Sequence, residues 1–293
     1  MSAGSSRSVS VNPLPLGRLP YAESMLPRLA ICAHATPTLA GTISLAREAS
    51  GPVCIEYSFN PSDLSAALGD SAAIHRLAGD DVEIRFHFPL GRYELADLDE
   101  ASADEALERF FSAIELVAKC GGTYLTIHAA LHGGAHQYPV FARTKQRLRL
   151  LVERGHEVGV TVCIENLRWG LTSEPERFLE LVEFADAAVT LDVGHAVSSE
   201  TALARITTGA EFARMLAPRI VGAHVYDRED PHHIAPTDLD RIGDTLRVLL
   251  DETACRWWVI ELFSAAEIRS TRALLLPLLR EGLPGQPLGG PRP

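Results

Sequence analysis

Eight short apolar segments recur along the chain, each followed by a segment with helical periodicity, and this alternation limits the folds that the sequence can adopt. Each segment is almost continuously apolar, as is typical of parallel strands that are buried on both faces. The alternation therefore predicts an α/β protein built around a parallel sheet. The segments are LAICAH (29–34), VCIEYSF (53–59), VEIRFHF (82–88), YLTIHAA (124–130), VTVCIEN (160–166), AVTLDVGH (188–195), IVGAHVY (220–226) and WWVIELF (257–263).

Helical patterns occupy the intervals between the predicted strands. After Ser102, apolar residues recur with the 3.6-residue period of an amphipathic helix. Ser102 and Glu105 have the spacing of a capping box, which predicts that this helix begins at Ser102. Ser173 and Glu176, with Pro175 between them, predict a second helix start of the same kind. Further helices are predicted at 37–48, 62–77, 141–157, 200–217, 238–254 and 265–281.

Eight strands and eight helices in strict alternation have the number and order of elements of a (β/α)8 TIM barrel. A doubly wound open sheet is the alternative, and it is weaker because no GxGxxG motif follows the first strand. The barrel is predicted to span residues 28–282. The two ends of the chain, 1–27 and 283–293, are rich in Ser, Pro and Gly and are predicted to be flexible arms.

Composition and charge exclude several classes of protein. A hydrophobic content of 46% excludes disorder as the main state, and no apolar run reaches the roughly 18 residues of a membrane span. The chain has 27 basic and 38 acidic residues, and its net charge of −11 without a basic cluster near the strand ends argues against a duplex nucleic acid substrate. Five dispersed cysteines and the lack of an apolar leader predict a cytoplasmic protein.

Every predicted strand has a His, Asp or Glu near its carboxyl end. In a TIM barrel these ends converge at one mouth, where active sites lie. Partly desolvated carboxylates and imidazoles at close range are costly unless a divalent cation pairs with them. A mixture of His, Asp and Glu without Cys suits Zn²⁺, Mn²⁺ or Fe²⁺ at a catalytic site. The residues at the eight ends are His34, Glu56, His87, His128, Glu165, Asp192 with His195, His224, and Glu261.

Some of these residues also have a purely structural interpretation. His34 is interpreted as a capped core histidine, and Glu56 fits equally well as the partner of a basic loop residue or as a substrate contact. Glu165 and Asp192 instead follow buried apolar runs, where an unpaired carboxylate is expensive, so they are predicted to be metal ligands. His195 lies three residues after Asp192 and can reach the same cavity.

Loop residues beyond the strand ends supply a second set of candidates. Three histidines are interpreted as loop-surface residues or, at most, as supports for the ligands. They are His132, His136 and His233. Three arginines that follow strands could hold a phosphate or carboxylate of a substrate, or could be solvated loop residues. They are Arg92, Arg168 and Arg228.

The motifs at the strand ends resemble those of the xylose-isomerase-like TIM barrel superfamily. This superfamily groups sugar isomerases and epimerases with DNA-repair enzymes of the endonuclease IV type. The resemblance implies a TIM barrel with a metal-dependent active site at its mouth. The similar segments are FHFPLGRYELAD (86–97), LTIHAALHGG (125–134), CIENL (163–167), LDVGHA (191–196), HVYDREDPHH (224–233) and IEL (260–262).

The resemblance also implies which residues bind metal. The isomerases and epimerases share four ligands, which match Glu165, Asp192, His224 and Glu261. The endonuclease IV type binds three metals, and its additional ligands match His87, His128, His195 and the D-x-H pair Asp230 and His232. All nine positions carry a suitable residue, so the resemblance implies one to three ions, with Zn²⁺ or Mn²⁺ as the expected metal.

Two reactions are compatible with this ligand set. The large number of ligands favours a hydrolase of a small-molecule phosphodiester or phosphoester, for example of the cobamide-remodelling kind, with Glu165, Glu261 and His195 as catalytic residues. Asp230 stands where many of the epimerases have an arginine, which argues against a simple epimerase. The alternative is a metal-dependent isomerase or epimerase of a sugar, polyol or sugar phosphate, with Glu165 and Glu261 as an acid/base pair.

Either reaction implies a small-molecule substrate rather than a macromolecular one. A barrel that only binds metal is disfavoured, because a closed structural site needs about four ligands and this chain offers nine candidates. The sequence is compatible with a homo-oligomer and does not specify the number of subunits.

Overall fold

Eight parallel strands close into a barrel, which confirms the predicted fold. The structure is a computed structural model that describes residues 26–49, 52–58, 66–79, 81–89, 93–129 and 138–281. Seven barrel strands precede a two-stranded antiparallel hairpin, β8–β9, and the eighth, β10, pairs with β1 and closes the ring. The strands are β1 (Arg28–Cys32), β2 (Val53–Ser58), β3 (Val82–Phe88), β4 (Tyr124–Ile127), β5 (Thr161–Glu165), β6 (Ala188–Asp192), β7 (Ile220–Val225), β8 (Arg228–Glu229), β9 (His233–Ile234) and β10 (Trp257–Ile260).

The helices connect successive strands and turn their apolar faces inward. In the third helix, Phe110, Ile114 and Val117 are fully buried, as the 3.6-residue period predicts. Burial of one large apolar side chain contributes about 1.5–3 kcal/mol, so this helix face is a main source of stability. The helices are α1 (Leu39–Ala46), α2 (Ala66–Ala78), α3 (Glu100–Lys119), α4 (Tyr138–Val158), α5 (Pro175–Ala185), α6 (Val193–Ser198), α7 (Glu200–Leu203), α8 (Gly209–Leu216), α9 (Gly243–Asp251) and α10 (Ala265–Glu281).

Two predicted helix caps differ in the structure. The N-cap of α3 is Asp99, not Ser102, because the Asp99 carboxylate accepts hydrogen bonds from both the backbone N–H and the hydroxyl of Ser102, at 2.9 and 2.7 Å. A carboxylate at this position also interacts favourably with the positive end of the helix dipole. Pro175 begins α5 as predicted, but Ser173 lies in a preceding 3₁₀ turn and does not cap the helix.

The helix predicted at 200–217 is broken into α7 and α8. Arg205 has a left-handed backbone with φ of 56°, which a continuous helix does not permit. Thr208 then starts α8 with a capping box, because its hydroxyl accepts from the Glu211 N–H and the Glu211 carboxylate accepts from the Thr208 N–H. A further short helix that the sequence pattern does not predict, α6, begins directly after β6 and carries His195.

The ends of the chain lie almost wholly outside the described residues. The predicted arm at 1–27 is described only for residues 26 and 27, and the predicted tail at 283–293 is not described. Among the helices that the structure describes, none combines the length and the apolar character needed to cross a membrane. All five cysteines fall in the described part, and none of them forms a disulfide.

Candidate metal centre

The carboxyl ends of the barrel strands carry a group of buried His, Asp and Glu side chains. Because all eight strands are parallel, these ends meet at the same end of the barrel. Glu165 and Asp192 are the last residues of β5 and β6, His224 lies opposite Asp192 in the pairing of β6 with β7, and Glu261 directly follows β10. Glu261, the most exposed of the four, is only 8% exposed. The barrel therefore concentrates charge where little water can solvate it.

One subset of these side chains, the histidine-pair cluster, consists of His87, His128 and Glu165. The two histidine Nε2 atoms lie 3.1 Å apart. Glu165 Oε2 lies 3.3 Å from His87 Nε2 and 3.1 Å from His128 Nε2. Ligand atoms placed at about 2.1 Å from a tetrahedral Zn²⁺ are separated by roughly 3.4 Å, so this spacing suits a metal ion.

A second subset, the carboxylate cluster, consists of Glu165, Asp192, His224 and Glu261. His224 Nδ1 lies 3.1 Å from Glu261 Oε2, 3.4 Å from Glu165 Oε2 and 3.8 Å from Asp192 Oδ2. One ligand atom from each of the four residues lies within 4.8 Å of the others. Glu165 Oε2 lies within 3.4 Å of histidine nitrogens in both clusters, so this carboxylate could serve an ion in either one.

A third subset, the hairpin cluster, consists of His195, Glu229 and His233. Glu229 and His233 face each other across the β8–β9 hairpin. His195, from α6, places its Nε2 at 3.2 Å from Glu229 Oε2. Its Nδ1 lies 2.9 Å from the carbonyl oxygen of Asn166, so the backbone anchors one ring nitrogen while the other faces the hairpin. This group could also hold a metal ion.

The predicted D-x-H pair, Asp230 and His232, does not enter any of these clusters. Both side chains are exposed at the turn of the hairpin, where the Asp230 N–H donates to the His232 carbonyl at 2.8 Å. Glu229 and His233, one residue outward on each side, point toward His195 instead. Successive side chains of a strand point to opposite faces, so the neighbours of Glu229 and His233 point away from His195. The proline between the two candidate residues was the available sequence signal.

The three candidate arginines have different environments. Arg92 lies outside the described residues. Arg228 donates from Nη1 to the neighbouring Asp227 carboxylate at 2.7 Å, so its charge is already paired on the hairpin. Arg168 Nη1 lies 3.5 Å from Glu229 Oε2, which places this guanidinium against the hairpin cluster.

The environments of Glu56 and His34 differ from the structural roles that the sequence suggested for them. Glu56 is 2% exposed, and its Oε1 lies 2.9 Å from His224 Nε2, so its partner is a candidate ligand rather than a basic loop residue. His34 is exposed and not part of the core, because β1 ends at Cys32. His132 and His136 lie outside the described residues.

Two buried polar residues hold Asp192 in place, and neither stands out in the sequence as a candidate ligand. The Asn166 side chain donates to the Asp192 carbonyl and accepts from the Asp192 N–H, both at 2.8 Å. Tyr226 donates from its hydroxyl to Asp192 Oδ2 at 3.0 Å. Its ring stacks on His233 with the centroids 3.9 Å apart. Both residues lie at the end of buried strands, where a polar side chain must find a partner, and this was the signal that could have identified them.

The charges in the carboxylate cluster determine one another's ionisation. Burial opposes the charge on His224, but the carboxylates around it, chiefly Glu261, outweigh burial and raise its pKa well above the usual value. Burial likewise raises the pKa of Glu261, yet His224 lowers it to about 2 overall. Burial is also outweighed at Glu165, where His224 and His128 hold the pKa well below the usual value. Both glutamates are therefore ionised at neutral pH.

Asp192 and His195 are shifted in the same direction for different reasons. Burial raises the pKa of Asp192 to about 6 despite the nearby His195. Burial lowers the pKa of His195, but Asp192 and Glu229 reverse this and raise it to about 9. His195 and His224 thus carry protons at neutral pH that a metal ion would have to displace.

The buried histidines and carboxylates at the barrel mouth fit a divalent metal ion. Three buried ring nitrogens, His87 Nδ1, His224 Nδ1 and His224 Nε2, lie near carboxylates but form no hydrogen bond of suitable geometry within the part of the chain that the structure describes. A buried polar atom left in this way costs about 1–3 kcal/mol. Imidazole nitrogens and carboxylate oxygens without a thiolate form a donor set that suits Zn²⁺ or Mn²⁺.

Metal binding is expected to release protons and to strengthen with rising pH. A histidine ligand must lose its proton, and His195, with a pKa of about 9, and His224, with a pKa well above its usual value, hold theirs at pH 7. The affinity for Zn²⁺ should therefore rise from pH 6 toward about pH 9. Calorimetric titrations in buffers of different ionisation enthalpy measure the protons released. Heats that do not depend on the buffer would contradict ligation by these histidines.

Comparison with known proteins places the chain in a family. The family model of the xylose isomerase-like TIM barrel matches residues 45–277. The chain therefore belongs to the xylose isomerase-like TIM barrel family. The uncharacterized protein MJ0008 of Methanocaldococcus jannaschii is 29% identical over 201 residues, which cover 68% of this chain and 82% of that protein.

Solved structures with the same fold include sugar epimerases. The structure of L-ribulose 3-epimerase matches with a TM-score of 0.67 and 18% identity, covering 89% of this chain and 100% of that chain. A D-tagatose 3-epimerase-like protein matches with a TM-score of 0.66 and 18% identity, covering 87% of this chain and 98% of that chain. At this level of identity the likeness establishes the fold.

The predicted preference for a phosphoester hydrolase over an isomerase is wrong. The matching solved structures include several sugar epimerases, which agree with the alternative that the sequence left open. The prediction rested on the number of metal ligands. Ligand number does not select the reaction, because the same carboxylates and imidazoles can hold an ion that activates water or one that polarises a carbonyl.

Proposed function

We propose that this protein is a divalent-metal-dependent isomerase or epimerase of a sugar, polyol or sugar phosphate. The carboxylate cluster is the observation that carries the proposal. Glu165 and Glu261, from separate strands, approach the same atom, His224 Nδ1, at 3.4 and 3.1 Å. Two carboxylates beside one metal position can supply both the base and the acid for proton transfer next to a carbonyl. The sugar epimerases among the matching folds support the same class of reaction.

Glu165 and Glu261 are the acid/base pair in this proposal. Their low pKa values leave both carboxylates ionised at neutral pH, so either can accept a proton. One glutamate, as the carboxylate, removes the proton from the carbon beside the substrate carbonyl, and the other returns a proton that it has taken up from water. The first glutamate then releases its proton to water. Return to the opposite face of the same carbon inverts it, whereas return to the neighbouring carbon moves the carbonyl. Where no ion occupies the hairpin cluster, His195 keeps its proton at neutral pH and supplies a hydrogen-bond donor beside the pair.

Zn²⁺ or Mn²⁺, when bound, would polarise the carbonyl and hydroxyl oxygens of the substrate. We propose that the carboxylate cluster is its main position and that the histidine-pair and hairpin clusters are further positions, giving one to three ions. Asn166 and Tyr226 keep the Asp192 carboxylate aimed at this position through the hydrogen bonds described above. Arg168, beside the hairpin cluster, is the proposed contact for a substrate phosphate.

Hydrogen exchange tests the reaction on many sugars at once. The Zn²⁺- or Mn²⁺-loaded protein is incubated in D2O with a panel of ketopentoses, ketohexoses and their phosphates, and products are followed by NMR. We expect one deuterium at the carbon beside the carbonyl, together with an epimer or isomer, and loss of both after treatment with EDTA. Hydrolysis of phosphate esters by the same preparation, without deuterium uptake into any sugar, would contradict the proposal.

A further inference from the structure

A buried carboxylate lies behind two of the candidate metal ligands. We propose that Glu56 is a positioning residue that orients His224 and His87 from the side of each ring that faces away from the ion. The inference rests on the proposed function, because it assumes that these two histidines bind divalent ions. Glu56 then acts on the carboxylate cluster and on the histidine-pair cluster at the same time.

The position of Glu56 in the barrel makes these contacts possible. It belongs to β2, pairs with Arg85 of β3 in the sheet register and is 2% exposed. A single oxygen, Oε1, lies 2.9 Å from His224 Nε2 and 3.9 Å from His87 Nδ1, as charge contacts that are not aligned as hydrogen bonds. The two rings lie close together, with their centroids 5.3 Å apart. One carboxylate oxygen therefore faces both imidazoles.

Each of the two histidines uses its other nitrogen toward a metal cluster. His224 turns Nδ1 toward Glu261 and Glu165, at 3.1 and 3.4 Å. His87 turns Nε2 toward His128 and Glu165, at 3.1 and 3.3 Å. In His224 the nitrogen that faces Glu56 is the one that does not face the cluster, whereas His87 Nδ1 lies 3.9 Å from both Glu56 Oε1 and Glu261 Oε1.

A neutral imidazole carries its proton on one nitrogen and presents a lone pair on the other. The partner of the protonated nitrogen determines which nitrogen is free to bind a metal ion. A carboxylate that faces His224 Nε2 favours the proton on that nitrogen and thereby leaves the Nδ1 lone pair for the ion. The same attraction keeps the ring from rotating away from Asp192 and Glu261.

Glu56 could instead be a ligand, because one ligand atom each from Glu56, His87 and His224 lies within 4.8 Å of the others. An ion at that place would use the nitrogens on the far side of both rings. A neutral imidazole has one lone pair, so such an ion would take His224 and His87 away from the carboxylate cluster and the histidine-pair cluster. The geometry therefore favours the positioning role, and the number of bound ions distinguishes the two.

The test compares Glu56→Ala, Glu56→Gln and the unchanged protein by titration of the metal-free chain with Zn²⁺ against a chelator. Loss of an orienting partner of this kind weakens metal binding by about 10–100-fold, which is the effect expected for Glu56→Ala. Glu56→Gln keeps the size and the polar end of the side chain and loses only the charge, so it should bind the same number of ions with a loss of less than about tenfold. Thr126→Val is the matched control, because the buried hydrogen bond that it removes in the barrel interior is made with Thr190 and not with a candidate ligand.

The measured affinities and ion counts either support or overturn the positioning role of Glu56. Affinities of Glu56→Ala and Glu56→Gln equal to that of the unchanged protein would overturn the inference, and so would the loss of one bound ion in Glu56→Gln, which would make Glu56 a ligand. If Glu56→Ala fails to fold, the affinity and ion count of Glu56→Gln decide alone. An unchanged protein that binds no Zn²⁺ would overturn the proposed function, and the inference with it.

Discussion

Replacement of Glu261 by glutamine is expected to lower kcat/KM for the epimerised sugar by about 10²–10⁴-fold. Glutamine has nearly the same shape, but it can neither take up nor deliver a proton at this position. It also removes the negative charge that faces His224 Nδ1 at 3.1 Å. Initial rates at saturating Zn²⁺, with the sugar found by the deuterium-exchange panel, separate the loss of proton transfer from any loss of metal.

Glu267→Gln is the matched control, because this carboxylate is exposed in the first turn of α10. It should leave the rate unchanged. Glu165→Gln should lose as much activity as Glu261→Gln, and the double variant should lose little more, since residues that act as a unit are not additive. Full activity in Glu261→Gln would show that Glu261 does not transfer a proton in the reaction and would contradict the proposed acid/base pair.

Gly194→Ala is expected to destabilise the protein by about 1–3 kcal/mol, because it overpacks a filled site. A Cβ on Gly194 would lie only 2.1 Å from Cε2 of Tyr226. The Tyr226 ring is fully buried, stacks on His233 and donates to Asp192, so it cannot move aside without losing both contacts. Zn²⁺ affinity should fall as well, by about tenfold or more. Urea denaturation and chelator competition measure the two effects.

Gly69→Ala provides a matched control on another helix. A Cβ at Gly69, in α2, meets nothing within 4 Å, so this change should stabilise the protein by about 0.5–1 kcal/mol. Helix propensity alone predicts a gain at both glycines. A loss of stability in Gly194→Ala together with a gain in Gly69→Ala would therefore be due to the Tyr226 ring. A gain in stability in both variants would show that the ring can move aside.

The barrel could be predicted because its strands are buried on both faces. Each of the eight barrel strands overlaps one of the eight apolar runs, and β5 and β6 end at the carboxylates that the sequence singled out. The break between α7 and α8 was missed, since apolar periodicity continues through it. Only the Thr208–Glu211 capping box, which is short and local, marks the new helix start.

The candidate site was less predictable than the fold. Ligands on strands were predictable because strand ends converge, as Asp192 and His224 do in the pairing of β6 with β7. The hairpin cluster depends on the turn around Pro231, where a shift of one residue exchanges exposed and inward side chains. The role of Glu56 could not be predicted, because nothing in the sequence shows that its partner is a histidine on β7, a strand that is not adjacent to β2 in the ring.

The central claim is that carboxylates and imidazoles from separate strands hold divalent ions at the barrel mouth. Anomalous diffraction above and below the zinc absorption edge, from crystals of the Zn²⁺-loaded protein, tests this claim most directly. The account predicts a peak at about 2.0–2.2 Å from the ligand atoms of Glu165, Asp192, His224 and Glu261. Zinc peaks confined to the protein surface, or none at all, would contradict it.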